Sequence, residues 1–357
     1  MVTLPSLEAY QAALILSGTG DALGLGCKNG RLSGAEVQQS MSSMGGVDAI
    51  EVKPPRWPVG QNTVLHLVTA EALATGRTSE TLWPELAARY VDCMSARMMA
   101  NRRPSTSLLR ATALLRPAEP QGWELPFDDS SRTAVEACPA VRSVCIGLRF
   151  HKPSQLGSLI STAVESARIT HHHPTAYLGA VTAALFTSYA AQRREPREWA
   201  ASLLEVIPEV LGYVVSTGRD VDDNQRSWCY FGDIWKEYVS IRGISDGESA
   251  PKFPRRYGPD RRDELYRRFA GNDMVAGSCG HDAPLIAYDA FLCSNSWQDL
   301  CDRAMLHGGE GSSSGAIAAG WWGLMHGLSG VPAGNHARLE FRDRLAEAGT
   351  KLFSMSF

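Results

Sequence analysis

Residues Ser17–Gly26 read SGTGDALGLG, four glycines in ten positions. Such density raises the question of a dinucleotide-binding turn. The G-x-G-x-x-G fingerprint needs a strand before it and a glycine at position 23, where this chain has Leu23. Nothing upstream reads as a strand. Leu7, Tyr10 and Leu14 fall at i, i+3 and i+7, the spacing of one helical face. The glycines therefore belong to a helix or its end, and a Rossmann sheet is rejected. Asp21 keeps two readings, a helix cap or a group that orients a ligand.

Working outward, helical patterns continue. NTVLHLVTAEALATG places Leu65, Val68 and Ala72 on one stripe, with Gly76 as a C-cap. GSLISTAVESARIT and GAVTAALFTSYAAQ are rich in small residues, which points to close helix–helix approach. REWAASLLEVIPEVLGYVVSTG, SWCYFGDIWKEYVSI, DAPLIAYDAFLC and HARLEFRDRLAEAGTKLF extend the pattern. Strict period-two alternation is rare and short. The expectation is an all-α fold, one compact domain of many helices packed at varied angles. The segments around 100–135 and 243–281 read as long surface loops. In KFPRRYGPDRRDELYRRF seven basic residues stand against three acidic ones, read as a solvated loop and helix face.

The 357 residues are 44% hydrophobic and 20% charged, which suits a chain with a sizeable core. A net charge of −3 makes no whole-chain case for nucleic acid or an anionic membrane. The first residues lack the basic start of a signal peptide. No uninterrupted apolar run is long enough to span a bilayer, so a cytoplasmic location is expected. Eight cysteines, Cys27, Cys93, Cys138, Cys145, Cys229, Cys279, Cys293 and Cys301, form no C-x-x-C pair. They read as buried reduced thiols.

Chemistry-bearing residues are sparse. His171, His172 and His173 are consecutive. Successive helical positions point about 100° apart, so the three cannot form one zinc site. A helix end stopped by Pro174, with His171 turned into a cleft, fits better. His281 and Asp282 precede an apolar run, with Asp282 placed as an N-cap and Pro284 in the first turn. No nucleophile–base pair stands out. HGGEGSSSGAIAAGWWG, from His307 to Gly323, is a glycine- and serine-rich turn with one carboxylate.

Taken in order, GDALG, GGVDAI, NTVLHLVTAEAL, CIGLRF, THHHPTAYLGA, GHDAPLIAYDA and HGGE resemble the ADP-ribosylglycohydrolase family. The resemblance runs from about residue 8 to 353 and implies a single domain over 1–357 with the family's compact all-α bundle. Active members carry a two-magnesium site built from a Ser/Thr-Asp-Asp-Thr motif and a late His-Gly-Gly-Asp-x-Asp-Ser/Thr motif. Here the first aligns with Gly60-Gln61-Asn62-Thr63 and the second with His307-Gly308-Gly309-Glu310-Gly311-Ser312-Ser313-Ser314. One of four motif carboxylates remains, Glu310. Gln61, Asn62, Thr63, Glu310, Ser312 and Ser313 are then remnant metal-site positions. Asp21, His171, His281, Gly308 and Gly309 would line what is left of the ligand cleft.

Mg²⁺ demands octahedral oxygen ligation, and carboxylates supply much of its binding. The resemblance therefore implies a lost magnesium site, no cofactor and no catalytic residue. The family's glycine-rich loop before CIGLRF is here Glu136-Ala137-Cys138-Pro139-Ala140-Val141-Arg142. A carboxylate and a proline there weaken the case for ADP-ribose binding. The replacements resemble an inactive vertebrate branch of the family. That branch implies a cytoplasmic muscle protein at myofibrils, with an unknown protein partner, needed for sarcomere assembly and outgrowth of the heart chambers. The alternatives are an ADP-ribose or nucleotide binder without turnover and a weak magnesium-dependent ADP-ribosylarginine hydrolase.

Overall fold

Gly20 and Gly24 sit where two backbones touch. Helix α1 (Leu7–Gly26) runs against a late helix, Gly311–His326. A Cβ on Gly20 would stand 2.2 Å from the Gly315 carbonyl oxygen, and one on Gly24 2.2 Å from the Gly311 carbonyl carbon. One on Gly323 would meet the Ala12 carbonyl oxygen at 2.5 Å, so the two helices are antiparallel. Only a residue without Cβ admits such an approach. The glycines of SGTGDALGLG thus serve helix packing.

The structure is a computed structural model that describes residues 5–26, 32–77, 79–95, 97–130 and 134–357. After α1 the α-helices are α2 (Gly34–Ser43), α3 (Gln61–Leu73), α4 (Ser79–Ser95), α5 (Thr106–Leu114), α6 (Cys138–Arg142), α7 (Val144–Arg149), α8 (Leu156–Arg168) and α9 (Pro174–Ala191). There follow α10 (Trp199–Ser216), α11 (Val221–Arg226), α12 (Cys229–Arg242), α13 (Pro259–Phe269), α14 (Asp282–Cys293), α15 (Trp297–Ala304), α16 (Gly311–His326), α17 (Ala333–His336) and α18 (Arg342–Ser356). Among the described residues there is no β-strand, only a bridge between Glu136 and Cys279. The all-α expectation holds.

Helix α9 is buried at every position, and α16 is buried from Gly311 to Leu324. A helix apolar all round belongs in the interior. Phe186 of α9 gathers Tyr288, Trp199, Trp321 and Trp235 with ring centroids 5.0–5.6 Å away. Around this centre, α1, α3 and α16 bring their termini to one face of the molecule, where a cleft opens.

Several local expectations are corrected. Helix α5 lies inside 100–135 and α13 inside 243–281, both read as loops. Ser105 caps α5 by accepting from the Leu108 N–H, and Pro259 supplies the preset first turn of α13. Helix α3 ends at Leu73, before Gly76, whose φ of +73° lies in the following turn. Pro174 does not stop a helix. Helix α8 has already ended at Arg168, and Pro174 opens α9, where its missing N–H costs nothing. HARLEFRDRLAEAGTKLF is not one helix: His336 ends α17, a turn follows to Phe341, whose φ is +61°, and α18 begins at Arg342.

Cys93, Cys138, Cys145, Cys279 and Cys301 are buried free thiols, but Cys229 is exposed and Cys293 half-buried. Cys27 lies outside the described residues. One helical stretch, Pro196–Ser216, is apolar and long enough to cross a bilayer, with mean hydropathy 1.3. It carries Glu205 and Glu209 near its middle, each costly in hydrocarbon.

Candidate functional site

Asp21 organises the first half of the site. It is buried on α1 and caps the start of α3. Its Oδ2 accepts from the Gly60 N–H (2.7 Å), the Thr63 N–H (3.1 Å) and the Thr63 hydroxyl (2.5 Å). A carboxylate suits a helix N-terminus. Its Oδ1 is buried without a partner beside the cleft. Burial pushes the Asp21 carboxyl up to about 6, and the charge of Glu310 adds to this against the hydrogen bonds from Thr63 and Gly60. Both readings of Asp21 meet here, since one oxygen caps a helix and the other borders the cavity.

The cap aims the next two side chains into a cleft of about 660 Å³. Gln61 turns its Oε1 to the Ser105 N–H at 2.9 Å. Asn62 donates its Nδ2 to the Ser313 hydroxyl at 3.2 Å. From the opposite wall, Glu310 precedes α16, and its Oε1 accepts from the Ser312 hydroxyl at 2.6 Å. Gln61, Asn62, Glu310, Ser312 and Ser313 all line this one cavity, and Thr63 lies beneath its floor on Asp21.

The late turn is shaped by His307. The Gly309 N–H donates to its Nδ1 (3.1 Å), so its Nε2 donates to the Ser314 hydroxyl (2.9 Å). Burial drives His307 down to about 3, which keeps the ring neutral.

A third wall was not foreseen as a unit. Glu136 lines the cleft and its Oε2 accepts from the Ser107 hydroxyl (2.6 Å) and faces His171 Nε2 (3.2 Å). Burial holds His171 below its ordinary value, against the pull of Glu136. A neutral ring then donates from Nε2 to Glu136 and accepts at Nδ1 from the Thr170 hydroxyl at 2.8 Å. Arg142, fully buried over the Tyr90 ring, donates to Thr170 Oγ1 at 2.6 Å. Burial raises the Glu136 carboxyl, yet its bonds with His171 and Ser107 leave it below the usual carboxylate range. The Ala137 N–H is spent on the Ser278 carbonyl, and Pro139 stands in the first turn of α6.

Matched against known proteins, the chain fits the ADP-ribosylglycohydrolase family over residues 3–356. The chain belongs to that family. It is similar to ADP-ribosylhydrolase ARH1 of Dictyostelium discoideum, 32% identical over 94% of this chain and 91% of that protein. A protein of Acanthamoeba polyphaga mimivirus that is named as an ADP-ribosyl glycohydrolase is 27% identical over 79% of this chain, which spans 55% of that protein's length. A solved structure described as an ADP-ribosylglycohydrolase-related protein complex superposes with a TM-score of 0.64 at 17% identity, over 98% of this chain and 99% of that one. That likeness speaks for the fold.

Other expected cleft residues of this family member stand elsewhere. His171 is one hydrogen bond behind the wall, through Glu136. His281 lines a separate cavity of about 290 Å³ with Tyr230 and Cys279. Its Nε2 bonds the Phe269 carbonyl, and burial drives it down to about 4. Gly308 and Gly309 line a further cavity of about 360 Å³ with Asp263 and Arg267, because His307 folds their turn away from the cleft. His172 bonds Leu125 and Asn224, and His173 caps α9, so the three histidines diverge. Asp282 is not the N-cap of α14. It sits at the first helical position and ties back to the N–H groups of Gly277 (2.9 Å) and Cys279 (2.8 Å). Asp273, which accepts from Ser278 and lines the cleft, had no signal in the sequence.

Proposed function

We propose that this member of the family does not hydrolyse ADP-ribosyl groups and acts instead as an interaction protein. One observation carries the reading. At the two positions where active relatives hold aspartates, neutral amides stand, and both are turned to protein partners, Gln61 to Ser105 and Asn62 to Ser313. An amide accepts no proton near neutral pH, so neither can be a general base.

The donor set does not fit two divalent ions. Two such ions bring four positive charges. Among the described residues no three His, Cys, Asp or Glu side chains converge as a metal cluster. Asp21, Glu136 and Asp273 also line the cleft, but Glu136 and Asp273 are engaged by groups of the chain itself, and Asp21 has its Oδ2 committed to the cap of α3 and offers Oδ1 alone. The wall at 136–142 offers a carboxylate and a proline where a pyrophosphate would need N–H donors. The resemblance of these replacements to the inactive vertebrate branch extends the proposal to a cytoplasmic protein at myofibrils, serving sarcomere assembly and heart chamber outgrowth.

The similarity to a protein named ADP-ribosylhydrolase sets the activity to be tested. Release of ADP-ribose from modified arginine, modified serine and O-acetyl-ADP-ribose is measured with Mg²⁺, beside Glu310→Ala. No turnover above that variant is expected. Metal-dependent turnover that Glu310→Ala abolishes would overturn the proposal.

A further inference from the structure

The cleft is acidic. Asp21, Glu136, Asp273 and Glu310 line it, against Arg102 and Arg103. Arg102 is committed to Glu340 and the Val59 carbonyl. Arg103 is exposed and makes no ion pair among the described residues. Asp21 and Asp273 pair with no base among those residues, and Glu136 faces the neutral ring of His171. The floor holds the decisive atom. Asp21 is 1% exposed, and its Oδ1 accepts no hydrogen bond. A buried carboxylate oxygen is costly to leave without a donor. Gly60, which also lines the cleft, leaves that oxygen uncovered, since a Cβ there would stand 2.8 Å from Oδ1.

The chemistry of the walls selects the cation. None of the four carboxylates presents both oxygens unused. Asp21 Oδ2 caps α3, Glu310 Oε1 accepts from Ser312, Glu136 Oε2 accepts from Ser107, and Asp273 receives the Ser278 hydroxyl through both oxygens. A guanidinium fork is best matched by the two oxygens of one carboxylate. An ammonium is a compact charge with three donors that point apart, so it suits single oxygens on different walls. Leu25, Pro58 and Val59 add apolar surface to the same cleft, which suits an aliphatic stem behind the charged head.

We propose that the cleft receives the side-chain ammonium of a lysine from a partner protein, with Asp21 Oδ1 as its acceptor on the floor. The inference rests on the reading of this chain as an interaction protein and names the chemistry of what it holds. The stem lies along Leu25, Pro58 and Val59, and Glu136, Asp273 and Glu310 supply the surrounding negative charge. The lysine thereby gives Asp21 Oδ1 the donor that the chain itself does not provide.

The test titrates the full chain with labelled, end-blocked peptides of sequence Gly-Gly-Lys-Gly-Gly, followed by fluorescence anisotropy. Replacing the lysine by Nε-acetyl-lysine or by arginine should weaken binding at least about tenfold. Asp21→Asn, Asp273→Asn and Gly60→Ala should each weaken the lysine peptide by about tenfold, the last by covering Oδ1 while every charge stays in place. Should Asp21→Asn fail to fold, Asp273→Asn and Gly60→Ala decide. Equal binding of lysine and acetyl-lysine, or no response to these variants, overturns the proposal. So does tighter binding of the arginine peptide or of free putrescine, or displacement of the lysine peptide by Mg²⁺ at matched ionic strength, since the occupant would then be a guanidinium, a free amine or a metal. Absent peptide binding beside absent ADP-ribose release overturns this inference and leaves the earlier reading standing. ADP-ribose release beside peptide binding does the reverse.

Discussion

Asn62 donates its side-chain amide to the Ser313 hydroxyl across 3.2 Å, joining positions 251 residues apart. An aspartate at 62 would present oxygen where this nitrogen stands, so the Ser313 hydroxyl would have to turn and donate, and a negative charge would enter the cleft near Glu310. The neutral amide closes the two halves of the cleft on each other without adding that charge.

Rebuilding the acids tests that account. In Gln61→Asp, Asn62→Asp, Glu310→Asp, Ser312→Asp, the cleft gains three carboxylates and again holds four at the motif positions, beside the unpartnered Asp21 Oδ1. A Mg²⁺ ion should bind, and melting temperature should rise with metal concentration, by about 2.7 kcal/mol of stability at a hundred times Kd. Hydrolysis should stay absent or slight, because Glu136 and Pro139 still shape the neighbouring wall. Turnover at rates typical of enzymes, with residues 135–142 untouched, would show that wall to be harmless. No metal response at all would mean the backbone itself has drifted.

Acid should destabilise the fold. Burial drives His66 and His307 down to about 3, and His172, His173 and His281 to about 4. Below about 6.5 the unfolded chain protonates these rings and the folded chain does not, so their contribution, complete above that pH, is lost as pH falls. Asp21, pushed up by burial to about 6, and Asp282, pushed up to about 8, act in the opposite sense, because the folded chain holds their protons. Five rings against two carboxyls leave a net loss from pH 7 to 5. The urea midpoint, followed at both pH values and between them, should drop at constant m-value. A flat or rising midpoint contradicts the burial of these histidines.

Two glycine substitutions should move stability in opposite directions. Gly24→Ala forces a Cβ onto the Gly311 backbone and should cost about 1–3 kcal/mol. Gly212→Ala lies inside α10 with open space beside it and should gain up to about 1 kcal/mol from helix propensity. Chemical denaturation of the two variants beside the parent chain decides the matter. A Gly24→Ala protein as stable as its parent would mean that α1 and α16 do not touch through backbone.

Local pattern was enough for most of the helices, α5 and α13 excepted. The spacing of Leu7, Tyr10 and Leu14, and the missing glycine at Leu23, ruled out a nucleotide-binding sheet, because helical periodicity is a property of neighbouring residues. The order of motifs likewise marked Gln61, Asn62, Glu310 and Ser312 for one cleft. Which backbone Gly20 and Gly24 press against could not be read, since helix pairing joins residues hundreds of positions apart. Nor could the fate of each polar group. Asp21 became a cap for α3 only because α1 and α3 meet there, and His171 found Glu136 and Ser107 through the packing of α8, α9 and the 136–142 wall. His281, Gly308 and Gly309 had suitable chemistry for the cleft but face other cavities. A buried polar group must take whatever partner the packed chain brings within reach, and that choice belongs to the tertiary structure alone.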